Sequence, residues 1–149
     1  MRSLSLIAVA FAAVPATLSV ASVTTVFYTV NQAAWTSSAT SAGASVSSEN
    51  FSSINDGYYA GGVSGNVGGI HWTATSSGGV SAFSGLVSAS SDTASLDFAV
   101  SPGVNGIAGN LYGTDAAHQA TAAIIMVTLS DSTSYMGYAN GPSDLIGFY

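Results

Sequence analysis

Residues 107–149 decide the fold: IAGNLYGTD (107–115), ATAAIIMVTLSD (120–131), STSYMGYA (132–139) and LIGFY (145–149). These are strand-length apolar runs separated by Gly, Asp, Asn and Ser, the residues that turns favour. The run Ala122–Leu129 carries apolar residues on both faces, with Ile125, Val127 and Leu129 on one and Ile124 and Met126 on the other. Such a run predicts a central strand covered on both sides. Ser130-Asp131-Ser132 predicts a hairpin back into Thr133–Ala139, and Asn140-Gly141-Pro142 a turn into a last strand over 144–149.

The same pattern extends towards the N-terminus. Ala94–Val100 alternates cleanly, with Ala94, Leu96, Phe98 and Val100 on one side. Gly69–Ala74 alternates Ile70, Trp72 and Ala74 against His71 and Thr73, which predicts a half-buried strand. Val80–Val87 is weakly strand-like and interrupted by Gly85; Asn55-Asp56-Gly57 is a turn signal, and Asn50–Ile54 reads as a short strand. Residues 36–48 read as a loop or weak edge strand. Asn31 is a good helix cap before one helical turn, Gln32–Trp35, with Trp35 plugging the core edge. Val23–Val30 (VTTVFYTV) is a β-branched and aromatic strand candidate. About nine short strands and almost no helix predict an all-β antiparallel β-sandwich or jelly roll, with one short helix near its start.

Residues 1–21 stand apart. Arg2 precedes a mostly apolar stretch to Val20, and Ser19-Val20-Ala21 fits a small-x-small cleavage rule. This is the pattern of a secretory signal peptide, cut after Ala21 or Ser22. The expected organisation is a leader over 1–21 and a single sandwich domain over 22–149, secreted or at the cell surface. No later stretch reads as a transmembrane anchor.

Composition narrows function. Charged residues make up 5% of the chain, the formal charge is −6, and Arg2 is the sole Lys or Arg. Nucleic-acid binding needs phosphate-neutralising cations, and binding to anionic lipid needs a basic patch, so neither is expected. With no cysteine, there are no disulfides, thiolate metal sites or thiol catalysis.

The order of elements resembles a known family. A leader, a strand, Ala33-Ala34-Trp35, Asn50-Phe51, VNGIAGNLYGTD (104–115), VTLSDSTS (127–134) and LIGF (145–148) together resemble the ectodomain of bacterial PEP-CTERM secreted proteins. The resemblance implies an exported β-sandwich associated with exopolysaccharide or biofilm. Those proteins end in a Pro-Glu-Pro motif, a hydrophobic helix and a basic cluster. The sequence lacks these, so the reading expects either a C-terminally truncated chain or a relative without the anchor.

Candidate chemistry is sparse. His71 and His118 are the two histidines, and no G-x-S-x-G elbow accompanies them. Most of the seven acidic residues fall in turn signals, where Asp bonds its own backbone. Only Glu49 and Asp97 read as lying in or beside strands. No catalytic residue is assigned and the expectation is a non-enzymatic protein, with a secreted hydrolase ranked last. No cofactor is expected beyond a structural calcium ion, for which Asp56, Asp115 and Asp144 on rim loops are the candidate ligands. Carbohydrate recognition stacks aromatic rings on sugar faces, and Tyr58, Tyr59, Tyr112, Tyr135 and Tyr138 are the candidates. Tyr58 and Tyr59 are adjacent, so a strand turns one of them outward. Asn50-Phe51-Ser52 matches the N-glycosylation pattern and is read as chance. The expected partners are polysaccharide or the chain itself, because strand edges without Lys are poorly protected against self-pairing.

Overall fold

A computed structural model of the chain describes residues 3–13, 27–28 and 31–149. It is an all-β architecture of antiparallel sheets with one short helix. Three sheets are present among the described residues: one of nine strands, one of three and one of two.

The large sheet runs in the order β2 (Phe27–Tyr28), β14 (Leu145–Phe148), β10 (Val104–Thr114), β1 (Ser3–Ala13), β8 (Leu86–Ala89), β7 (Val80–Phe83) and β4 (Gly57–Tyr59). β3 (Ser45–Glu49) also pairs with β1, and β11 (Ala120–Thr121) with β10. The smaller sheets are β5 (Val63–Val67), β6 (Ile70–Thr75) and β9 (Asp97–Val100), and the hairpin β12 (Ala123–Thr128) with β13 (Ser134–Ala139).

The large sheet is the common wall. Phe11, Val80 and Val87 pack with Val63, Ile70, Trp72 and Ala74 of the three-stranded sheet. Tyr112, Ile146 and Phe148 pack with Ile125 and Ala139 of the hairpin. Ile107 and Leu111 of β10 touch both groups, which makes the core continuous.

The three-stranded sheet follows its alternation. Ile70, Trp72 and Ala74 are buried while His71 is exposed. Trp72 is edge-on to Phe51 with ring centroids 5.2 Å apart, and Phe98 lies 6.0 Å from it. The indole N–H donates to Glu49 Oε2 at 3.0 Å. Glu49 Oε1 accepts the backbone N–H of Asn50 and Phe51, each at 2.9 Å. A buried carboxylate is costly unless its lone pairs are used, and these donors use them. They also bend the chain: Phe51 sits at φ 57°, and Ile54 N–H returns to the Phe51 carbonyl. Residues 50–54 are therefore a turn rather than the expected strand.

The helix α1 (Gln32–Ser41) is longer than one turn. Asn31 caps it through Oδ1, which accepts the Ala34 N–H at 2.9 Å. Trp35 and Ala39, four residues apart, share one face and are fully buried against Ala108 and Leu145. This tertiary face carries the helix through a run of Ser and Thr that propensity alone does not favour. Gly147 makes the contact close, since a Cβ there would lie 2.7 Å from the Trp35 ring.

One further expectation is revised: β12 is not a central strand. It pairs only with β13 among the described residues, and Ile124 and Met126 are exposed. The 145–149 strand has partners on both sides, β10 and β2, and residues 145–148 are all buried. The stretch read as a leader contains the strand β1 (Ser3–Ala13). β1 pairs with β10 along nearly its whole length and with β3 and β8 on its other side, and Phe11 is fully buried. The cleavage sites at Ala21 and Ser22, and most of Val23–Val30, lie outside the described residues. No helix among the described residues is long and apolar enough to cross a membrane.

Candidate functional site

A cleft of about 400 Å³ opens where three segments meet: β7, β8 with its following loop, and the turn after β10. Its floor is the cross-strand pair Ser81 and Ser88, with Tyr58 next in the row outside the lining. Tyr58 pairs with Ser81, and Ser81 with Ser88, so the three side chains share the face opposite the core residues Val80 and Val87. Ser88 is buried. Ser81 Oγ lies 2.7 Å from Ser90 Oγ, and Ser91 Oγ 3.1 Å from Thr93 Oγ1. The walls are Ser90, Ser91 and Asp92 on one side and Asp115, Ala116 and His118 on the other.

The Asp115 wall is built by its own carboxylate. Oδ1 accepts the N–H groups of Ala117 at 2.8 Å and Gln119 at 2.9 Å, and the Asp115 carbonyl accepts from His118 N–H at 3.0 Å. This closes residues 115–119 into a tight loop and holds His118 at φ 58°. The His118 ring stacks on Phe83, with centroids 4.8 Å apart and planes 14° from parallel. Phe83 sits at the tip of the β7–β8 hairpin, whose two-residue turn, Ser84-Gly85, has positive φ at both positions. Asp56 Oδ1 fixes that turn by accepting the Ser84 N–H at 2.7 Å.

The cleft is rich in hydroxyls, carries two carboxylates and has no Lys or Arg among its described lining residues. It can exchange hydrogen bonds with a polyhydroxylated ligand and would repel an anionic one. His118 presents a stacked aromatic face beside it. Its imidazole packs on Phe83, and the Asp115 oxygen nearest the loop backbone is already engaged, so neither is arranged as a nucleophile-activating pair.

The expected sites distribute unevenly. Tyr58 is 63% exposed beside Ser81, with its hydroxyl donating to the Gly78 carbonyl at 3.3 Å. Tyr59 is half-buried and donates to the Asn55 carbonyl at 2.7 Å. Tyr112 is a core residue, and burial pushes its hydroxyl pKa up, so it offers no ring face to a sugar. Tyr135 is half-buried and Tyr138 exposed, both on the hairpin and away from the cleft lining. Asp56, Asp115 and Asp144 do not converge. Each braces a different turn, Asp56 the Ser84-Gly85 turn, Asp115 its own loop and Asp144 the Asn140 turn through Asn140 N–H at 2.6 Å, and no group of three or more metal-ligating side chains occurs among the described residues. The four serines and Asp92 escape sequence reading because Ser is abundant throughout and these five share no motif.

Comparison of the chain with protein-family models, with curated proteins and with solved structures found no match.

Proposed function

We propose that this chain is an exported, non-enzymatic β-sandwich of the cell surface or extracellular matrix, and that it holds neutral or amino-bearing polysaccharide in the Ser81–His118 cleft. The single observation that carries the ligand class is the cleft's lining, which combines serine hydroxyls with Asp92 and Asp115 and, among the described residues, no Lys or Arg. Hydroxyls and carboxylates pair well with sugar hydroxyls and ammonium groups. The flat ring of Tyr58 and the stacked His118 and Phe83 add aromatic surface at its border. Export rests on the leader pattern of residues 1–21 and on the resemblance to PEP-CTERM ectodomains.

The test is retention of the purified protein on immobilised polysaccharides of three kinds: neutral, amino-bearing and uronic. Retention on the first two and none on the third is the expected result. Ser90→Trp, which fills the cleft from an exposed loop position, should abolish retention. Retention on none of the three, or unchanged retention of Ser90→Trp, would refute the assignment.

A further inference from the structure

The β12–β13 hairpin buries one face and leaves the other bare. Ile125 and Ala139 pack inward. On the outer face Ile124 stands opposite Tyr138, and Met126 opposite Met136, as two successive rungs of the ladder. These four are 71%, 65%, 68% and 71% exposed respectively. The next rung outward is Thr128 with Ser134, also exposed and uncharged. Across both strands there is no Asp, Glu, Lys or Arg. Charged residues are what sheets ordinarily use to discourage contact.

We propose that this face is a homodimer interface, closed by the same hairpin of a second copy. Three features of the patch favour a copy of this chain as occupant. The first is charge. The chain carries a formal −6 with Arg2 as its sole cation, so two copies repel over most of their surfaces. The outer hairpin face is free of that penalty.

The second is self-complementarity. A two-fold axis lying in the interface, across the strands and midway between the two rungs, sets the Met126/Met136 rung of each copy over the Ile124/Tyr138 rung of the other. All eight side chains are then covered. Methionine is unbranched and conforms to a facing surface, and its sulfur packs favourably at an aromatic ring such as Tyr138. The same axis points the two hairpin tips, each bearing Asp131, in opposite directions.

The third is area. The four side chains expose roughly 500 Å² per copy, near the upper range for the largest apolar patch on a monomer. Facing patches with their Thr128 and Ser134 flanks would remove about 1,000 Å² or more in total, the level at which specific association begins. Aligned sheet packing of this kind is the ordinary way two half-apolar sheets bury one another.

Sedimentation velocity of the purified chain tests this, independently of sugar binding. The expected result is a concentration-dependent monomer–dimer equilibrium with substantial dimer at about 100 μM. Met136→Lys places a cation opposite an apolar surface and should weaken association roughly tenfold or more. It changes an exposed position, so its circular dichroism and melting temperature as a monomer should match the parent. Ala99→Lys, a charge placed at an exposed position on β9, should leave the dimer intact. A parent chain that stays monomeric at that concentration overturns the proposal. So does a Met136→Lys variant that associates as strongly as the parent, or an Ala99→Lys variant that loses the dimer equally.

Discussion

The three-stranded sheet and the β12–β13 hairpin are both small sheets laid on the same large one, yet they end in opposite conditions. The first holds its largest residue, Trp72, at full burial among Phe51, Phe98 and the Glu49 carboxylate. The second is the more apolar in sequence but leaves Ile124, Met126, Met136 and Tyr138 in solvent. The difference lies in what surrounds each sheet. β6 has a strand on either side, and the turn at residues 50–54, led by Glu49, is folded back over its tryptophan. The hairpin has two strands and no described element on its outer face. Apolar content sets how much surface a strand could bury, while topology sets how much it does.

The largest expected effect breaks the buried side of this contrast. Trp72→Ala empties a fully enclosed site and should cost about 3–5 kcal/mol. Calorimetry should show this as the deepest fall in melting temperature of any variant here. Glu49→Gln comes next. The amide can keep an oxygen towards the N–H groups of Asn50 and Phe51, but then turns an N–H donor against the Trp72 indole N–H. About 1–3 kcal/mol should be lost in denaturant unfolding, the cost of a buried donor left without an acceptor. A loss as large as that of Trp72→Ala would mean that the carboxylate, rather than the ring packing, holds the region.

On the hairpin side the expected effects are smaller. Tyr112, in the cluster beneath the hairpin, has its hydroxyl pKa raised by burial above its ordinary value near 10. The folded state therefore keeps a proton that the unfolded chain releases first. Its contribution is intact below that ordinary value and declines as pH rises through the raised one. Melting temperature should fall at alkaline pH, and Tyr112→Phe should flatten that fall. The smallest effect belongs to the exposed face itself. Ile124→Thr should change monomer stability by no more than about 0.5 kcal/mol in denaturant unfolding at low concentration. A much larger loss would show that the face is already covered within one chain.

Much of the architecture was legible because strand alternation and turn chemistry are local. Ile70, Trp72 and Ala74 announce a one-sided strand, and Ser130-Asp131-Ser132 announces a hairpin that forms with Ser132 at φ 70° and Thr133 N–H on Asp131 Oδ1. What escaped depends on partners distant in sequence. The turn at Phe51 exists because Glu49 finds Trp72, 23 residues on. The full length of α1 depends on Trp35 and Ala39 meeting Ala108 and Leu145. The cleft is more remote still. Its serines become a site only when β7, β8 and the Asp115 loop are brought side by side, and no single segment carries that information. Tyr58 could be read as outward-facing from its adjacency to Tyr59, whereas the burial of Tyr112 follows from the cluster around β10.

The strand β1 joins β10 on one side to β3 and β8 on the other, and it is drawn from the residues that read as an export leader. Where a peptidase removes residues 1–21, cutting and folding become competing events. A chain cut first reaches its final shape without that strand and without Phe11. A chain folded first keeps both. Were residues 1–21 removed, the order of the two events would act as a form of memory, and intact mass of the folded material would read it directly.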